Sequence, residues 1–274
     1  MASREEAADQ ARCLTVRAAA SVVGLLLATT VAASADPRDT LEKARLAHYS
    51  LQRDGLTDFG CAVQPNWEQI VVTARRAISP ADEQALNVLK QLRITVAAAP
   101  ARRAKVVRNE LPAANDEQAK ALQQIYSGME QTLIGFFDTW SPFVMTSPLP
   151  PPTATVTLAE QQGQWSFTYK EGSVDISAVL GEDYAIQAMR IGTPKMASLI
   201  QPAFTKSPHG FLLSALQSQY RPLPSGPTAL LQMRIDYQTV SGFQLPKIIK
   251  VGGDDGTNGF QMEFSLTACQ VGRR

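Results

Sequence analysis

Two histidines and three cysteines are the side chains of this sequence best suited to nucleophilic, acid–base or metal chemistry. His48 falls on the inward face of a helical segment and reads as a partly buried structural residue. His209, in Ser207-Pro208-His209-Gly210, reads as a turn residue. Neither lies in a metal-binding pattern or in G-x-S-x-G, so hydrolysis through an activated serine and a zinc site both lack support. The run Gly252-Gly253-Asp254-Asp255-Gly256-Thr257-Asn258-Gly259 has the composition of a phosphate or calcium loop but the spacing of neither, and it reads as a hairpin turn. Arg102, Arg103, Lys105 and Arg108 lie at a predicted hairpin and read as solvated surface. No catalytic residue, metal site or cofactor emerges. Acidic pairs on a sheet leave an enzyme as the third reading, behind two non-catalytic ones.

The cysteines acquire meaning from the first 35 residues. A basic start with Arg4, Arg12 and Arg17 leads into an apolar run, Ala18 to Ala33, which ends in Ala33-Ser34-Ala35 before Asp36-Pro37. That is the pattern of a secretory signal cleaved after Ala35, and the run is too short for a membrane span. The expected address is secreted or periplasmic. Cys13 leaves with the signal, and Cys61 and Cys269 remain as an even pair in an oxidising compartment. Such a pair predicts a disulfide, with two separate buried thiols as the alternative.

Removing 35 of 274 residues leaves 239, enough to bury a large core without metals or dense disulfides. Three acidic residues leave with three basic ones, so the net charge stays at +1. Such a balance gives no long-range field for nucleic acid or an anionic membrane. No later apolar stretch is long enough to span a bilayer.

The elements fall into two textures around Ser147-Pro148-Leu149-Pro150-Pro151-Pro152, read as a crossover within one domain covering 36–274. Before it, a helix opens at Asp36 or Asp39 with Leu41, Ala44, His48 and Leu51 on one face, and Leu56 to Val63 alternates as a strand. Ser79-Pro80-Ala81-Asp82 starts a second helix carrying Ala85, Leu86, Leu89 and Leu92 inward. Arg93 to Ala98 and Lys105 to Leu111 form a hairpin around Pro100. The strongest helix signal runs from Asn115, its cap, to Trp140. Its stripe of Leu122, Ile125, Tyr126, Met129, Leu133, Phe136, Phe137 and Trp140 must lie against something apolar. After the crossover come strand patterns around Trp165–Tyr169, Val174–Ala178, Tyr184–Ile191, Gly210–Tyr220, Thr228–Tyr237, Phe243–Val251 and Phe260–Val271. They describe an antiparallel meander apolar on one face. Alternation in the last strand places Cys269 on its polar side, so the bridge is expected at the rim or outer face.

The segment Tyr237-Gln238-Thr239-Val240-Ser241-Gly242-Phe243-Gln244-Leu245-Pro246-Lys247-Ile248 resembles the strand–turn–strand of the lipoprotein localisation factor (LolA/LolB-like) superfamily. Gly242 suits the turn and Pro246 an edge or bulge. The resemblance implies an α+β fold, a strongly curved antiparallel sheet forming an incomplete barrel, with helices on its concave face over an apolar cavity. It implies a non-catalytic protein that binds a lipid or an acylated partner. On that reading Met129, Leu133, Phe136, Phe137, Trp140, Phe167, Phe264 and Leu266 contact the ligand. The alternative is an envelope structural or protein-interaction module with a filled core and no ligand.

Overall fold

The computed structural model describes residues 36–70, 80–113, 115–254, 256 and 259–274. The expected signal segment, residues 1–35, lies outside them, as do Ser79 and the Asp255, Thr257 and Asn258 part of the glycine-rich turn.

Helix α1 (Pro37–Ala47) settles the choice of cap. The Asp36 carboxylate accepts from the Arg38 N–H at 2.9 Å, with Pro37 in the first turn. Leu41 and Ala44 are buried. His48 is not part of the helix. It is the residue that ends it, in an extended conformation (φ −91°, ψ 141°), where it bridges to Phe211. Strand β1 (Leu56–Pro65) buries Leu56, Phe59, Cys61 and Val63. Helix α2 (Pro80–Leu89) buries Leu86 and Leu89, with Leu92 just beyond, while the side chain of Ala85 lies outside the described set. Strands β2 (Ile94–Ala99) and β3 (Arg102–Arg108) form the expected hairpin, and the basic run lies within β3 itself.

Helix α3 (Asp116–Val144) is longer than its stripe suggests, running through Pro142. Asn115 caps it by accepting from the Gln118 N–H at 2.9 Å. At the other end the Leu51 and Gln52 N–H groups donate to Val144 O (2.9 Å) and Met145 O (3.0 Å), supplying partners for carbonyls a helix terminus leaves open.

Among the described residues the elements after α3 are all strands: β4 (Thr157–Gln161), β5 (Gln164–Glu171), β6 (Val174–Leu180), β7 (Ile186–Thr193), β8 (Met196–Ser207), β9 (Gly210–Pro222), β10 (Ala229–Val240), β11 (Phe243–Asp254) and β12 (Gly259–Arg273). All twelve strands form one antiparallel sheet in the order β3-β2-β1-β12-β11-β10-β9-β8-β7-β6-β5-β4. The sheet is open, with β3 and β4 at its edges. β1 pairs with β12, so the early strands continue the late meander. Charged side chains along β3 are a usual protection of an exposed edge.

Cys61 and Cys269 form a disulfide with Cα atoms 4.1 Å apart, joining β1 to β12. The expected rim or outer position is corrected. Gly60 pairs with Gln270 but Ala62 with Thr267, so Cys61 faces two residues, Ala268 and Cys269. Ala268 is the extra residue of a bulge, at φ 48°. One added residue reverses the alternation and turns Cys269 towards the core face, where Cys61 is buried and Cys269 packs on the same cluster.

The Tyr237–Ile248 hairpin forms as expected. Ser241 (φ 50°) and Gly242 (φ 89°) both take the positive angles that a tight two-residue hairpin turn needs. Pro246 sits at the register shift between β10 and β11.

Candidate functional site

The aromatic end of α3 packs on the sheet. Phe59 of β1 lies 6.1 Å from Phe137 and 6.2 Å from Trp140, ring centre to ring centre, and Phe136 meets Phe137 at 5.0 Å. The Trp140 indole N–H donates to the Tyr237 hydroxyl (2.9 Å), which donates to Leu213 O (2.6 Å). This relay ties α3 to β10 and β9. Burial pushes the Tyr237 hydroxyl pKa up, which keeps it a donor. Met129, Leu133, Phe136, Phe137, Trp140, Phe167, Phe264 and Leu266 are all buried in one core cluster, none more than 3% exposed. The sites named from sequence are thus brought together as packed core.

A large cavity lies beside them. It measures about 990 Å³ and sits between the end of α1, the last turns of α3, the 147–152 crossover and the inner face of β5–β9. Leu46 and His48 come from α1 and its end, Pro142 and Phe143 from α3, and Ser147 to Pro152 from the crossover. The floor includes Tyr169, Ile176, Met189, Ile191, Ile200 and Tyr220. None of the eight residues named from sequence lines it. Its walls are set by identifiable bonds. Arg45 donates to Pro150 O, fastening the crossover to α1, and Arg53 donates to Arg45 O (2.8 Å) and His48 O (2.9 Å). Pro148, Leu149 and Pro150 are buried. Leu46 is 60% exposed and so presents an apolar side chain to solvent as well as to the cavity.

Two buried polar atoms in this region have no partner: His48 Nδ1 and Ser218 Oγ, the latter on the cross-strand neighbour of Ile200. His48 Nε2 is 3.2 Å from Tyr184 O, so that nitrogen carries the proton and Nδ1 is a bare acceptor. Burial is the main cause that lowers the His48 pKa to about 4, so the ring is neutral at neutral pH. The lining is predominantly apolar by area, as small-molecule sites are, with the charged residues Glu42, Arg45, Arg53, Asp138 and Glu171 also bordering it, and the volume lies at the upper end of the usual range.

A second space of about 580 Å³ shares Thr139 and Tyr220 with the first and runs along α3 towards β10–β12. Gly128 and Gly135 face it, and a Cβ at either would meet nothing within 4 Å. Thr132 and Thr139 turn their hydroxyls back onto Gly128 O and Gly135 O, both at 2.8 Å.

The cavity residues carry a sequence signal only in retrospect. Tyr169, Ile176, Ile191 and Tyr220 occupy the apolar phase of strands whose outer phase is polar, but alternation does not say which inner residues are covered and which face a gap. Among the described residues no cluster of His, Cys, Asp or Glu is placed to hold a metal, and no helix is long and apolar enough to cross a membrane. No protein-family model, no curated protein and no solved structure matches this chain.

Proposed function

We propose that the protein is a secreted or periplasmic, non-catalytic carrier that holds the apolar chain of a lipid or acylated partner in the cavity beneath the proline-rich crossover. In this reading the sheet is an incomplete barrel whose concave face is covered by α1 and α3. The cavity itself carries the proposal: about 990 Å³ of space, mostly apolar by area, beside the buried core cluster. Each methylene withdrawn from water there contributes about 0.8 kcal/mol, so a long chain supplies ample affinity without any charged anchor. Exposed Leu46 at the wall gives an entering chain an apolar first contact.

Titration with a fluorescent fatty-acyl probe tests this. The wild type should bind saturably, and Ile200→Trp, which fills the floor, should weaken binding by about tenfold or more while leaving the fold intact. Wild-type protein that binds no acyl probe, or an Ile200→Trp variant that binds it unchanged, contradicts the assignment.

A further inference from the structure

The strands that floor the cavity carry a second and larger groove on their opposite face. It measures about 1110 Å³ and is bordered by the 153–157 segment that leads into β4. Its base is a register row. Thr157 pairs with Thr168, Thr168 with Ser177, Ser177 with Arg190, Arg190 with Leu199 and Leu199 with Gln219. Because neighbours across an antiparallel sheet share a face, these side chains form one line across six strands, mostly hydroxyl and amide groups.

The next row supplies the charge. Lys170 and Asp175 neutralise each other at 3.1 Å. Gly192 and Ala197 follow and leave a shallow trough, and Arg221 closes the row. Among the described residues neither Arg190 nor Arg221 has a hydrogen-bond or ion-pair partner. The two arginines stand two strands apart and one alternation step out of line, roughly 12 Å between backbones at ordinary sheet spacings. Two free guanidinium groups on one face, with Leu199 and Gln219 between them and the Thr157–Thr168–Ser177 hydroxyls beside Arg190, match a ligand that combines separated acidic groups with hydroxyls. A guanidinium takes a carboxylate or sulfate in paired hydrogen bonds, which a solvated lysine does less well. The near-neutral whole chain makes this a local preference and disfavours a long polyanion such as nucleic acid.

We propose that this outer groove binds an acidic oligosaccharide, with Arg190 and Arg221 on its acidic groups and the Thr157–Thr168–Ser177 row on its hydroxyls. The groove lies across the same strands as the acyl cavity but on their other face, and its test does not depend on that reading.

Calorimetric titration of the whole protein with an oligogalacturonate and with a heparin-derived oligosaccharide tests it, against a neutral oligoglucan, inorganic pyrophosphate and phosphatidylglycerol vesicles. At least one acidic oligosaccharide should bind saturably, and the neutral one should not. Arg190→Gln and Arg221→Gln should each weaken binding by about tenfold, and Thr168→Val by a few-fold, with unchanged circular dichroism. Failure of both acidic oligosaccharides overturns the proposal, as does equal affinity in the double arginine variant. Pyrophosphate binding as tightly as the oligosaccharides overturns it in favour of a simple anion site. Arginine-dependent vesicle binding with neither oligosaccharide bound overturns it in favour of a lipid surface.

Discussion

His48 shows how one side chain reports on the interior. Its ring is almost wholly buried, with Phe204 at 4.9 Å and Phe211 at 5.7 Å between ring centres. Its pKa falls from 6.5 to about 4. The unfolded chain therefore binds a proton between those values that the folded chain refuses. Stability from this group is complete above pH 6.5 and declines as pH falls to about 4, by about 3 kcal/mol at most. Asp183 opposes this shift and Arg53 adds to it, both less than burial. Imidazole resonances followed by NMR should show His48 neutral down to about pH 5, and a midpoint near 6.5 would refute the burial argument. Phe137 gives a second residue-scale expectation. At 2% exposure inside the aromatic cluster, Phe137→Ala should cost roughly 3–5 kcal/mol in urea unfolding and leave acyl binding per folded molecule unchanged. A small stability loss with lost binding would place Phe137 at the ligand.

At the scale of elements, the helices and most strands were legible because their periods are regular. Asn115 caps α3, and the stripe from Leu122 to Trp140 names its buried face. β8 was not legible. Pro202 interrupts it, and proline argues against an inner strand. The structure accommodates it where β8 has a partner on one side only: pairing with β7 ends at Ile200, and Pro202 lies opposite Leu216 of β9. The outward expectation for Cys269 failed for a related reason: period-two counting cannot see the bulge at Ala268. The disulfide pairing survived because it rested on compartment and number. It closes a separation of 208 residues, worth about 5 kcal/mol on a chain-entropy account. Thiol titration of unfolded, unreduced protein should find none free in the processed chain and only Cys13 in an unprocessed one. Two further free thiols would reject the bridge. The glycines of α3 permit a test in the opposite direction. With open space over both, Gly128→Ala and Gly135→Ala should each stabilise by roughly 0.5–1 kcal/mol. A loss instead would mean that the space over α3 is occupied in the working protein.

For the whole molecule, the sheet's two faces divide the chemistry. On one, a filled aromatic core gives way to a cavity where the crossover bridges α1 and the ends of β5–β9; on the other, hydroxyls and two arginines lie open. The sequence foretold an apolar interior near α3, and the candidate ligand residues it named lie in the core cluster beside the cavity rather than on its wall. Large aromatic residues at regular spacing mark what is buried, whereas the cavity is bordered by the irregular 147–152 crossover, which carries no period to read. In the proposed function this cavity carries an apolar chain. Native mass spectrometry of the purified protein addresses it most directly. A chain beginning at Asp36 should retain one or more adducts of acyl-lipid mass, released by organic extraction and diminished in Ile200→Trp. A bare protein mass in every preparation, together with no uptake of added fatty-acyl probe, would contradict it.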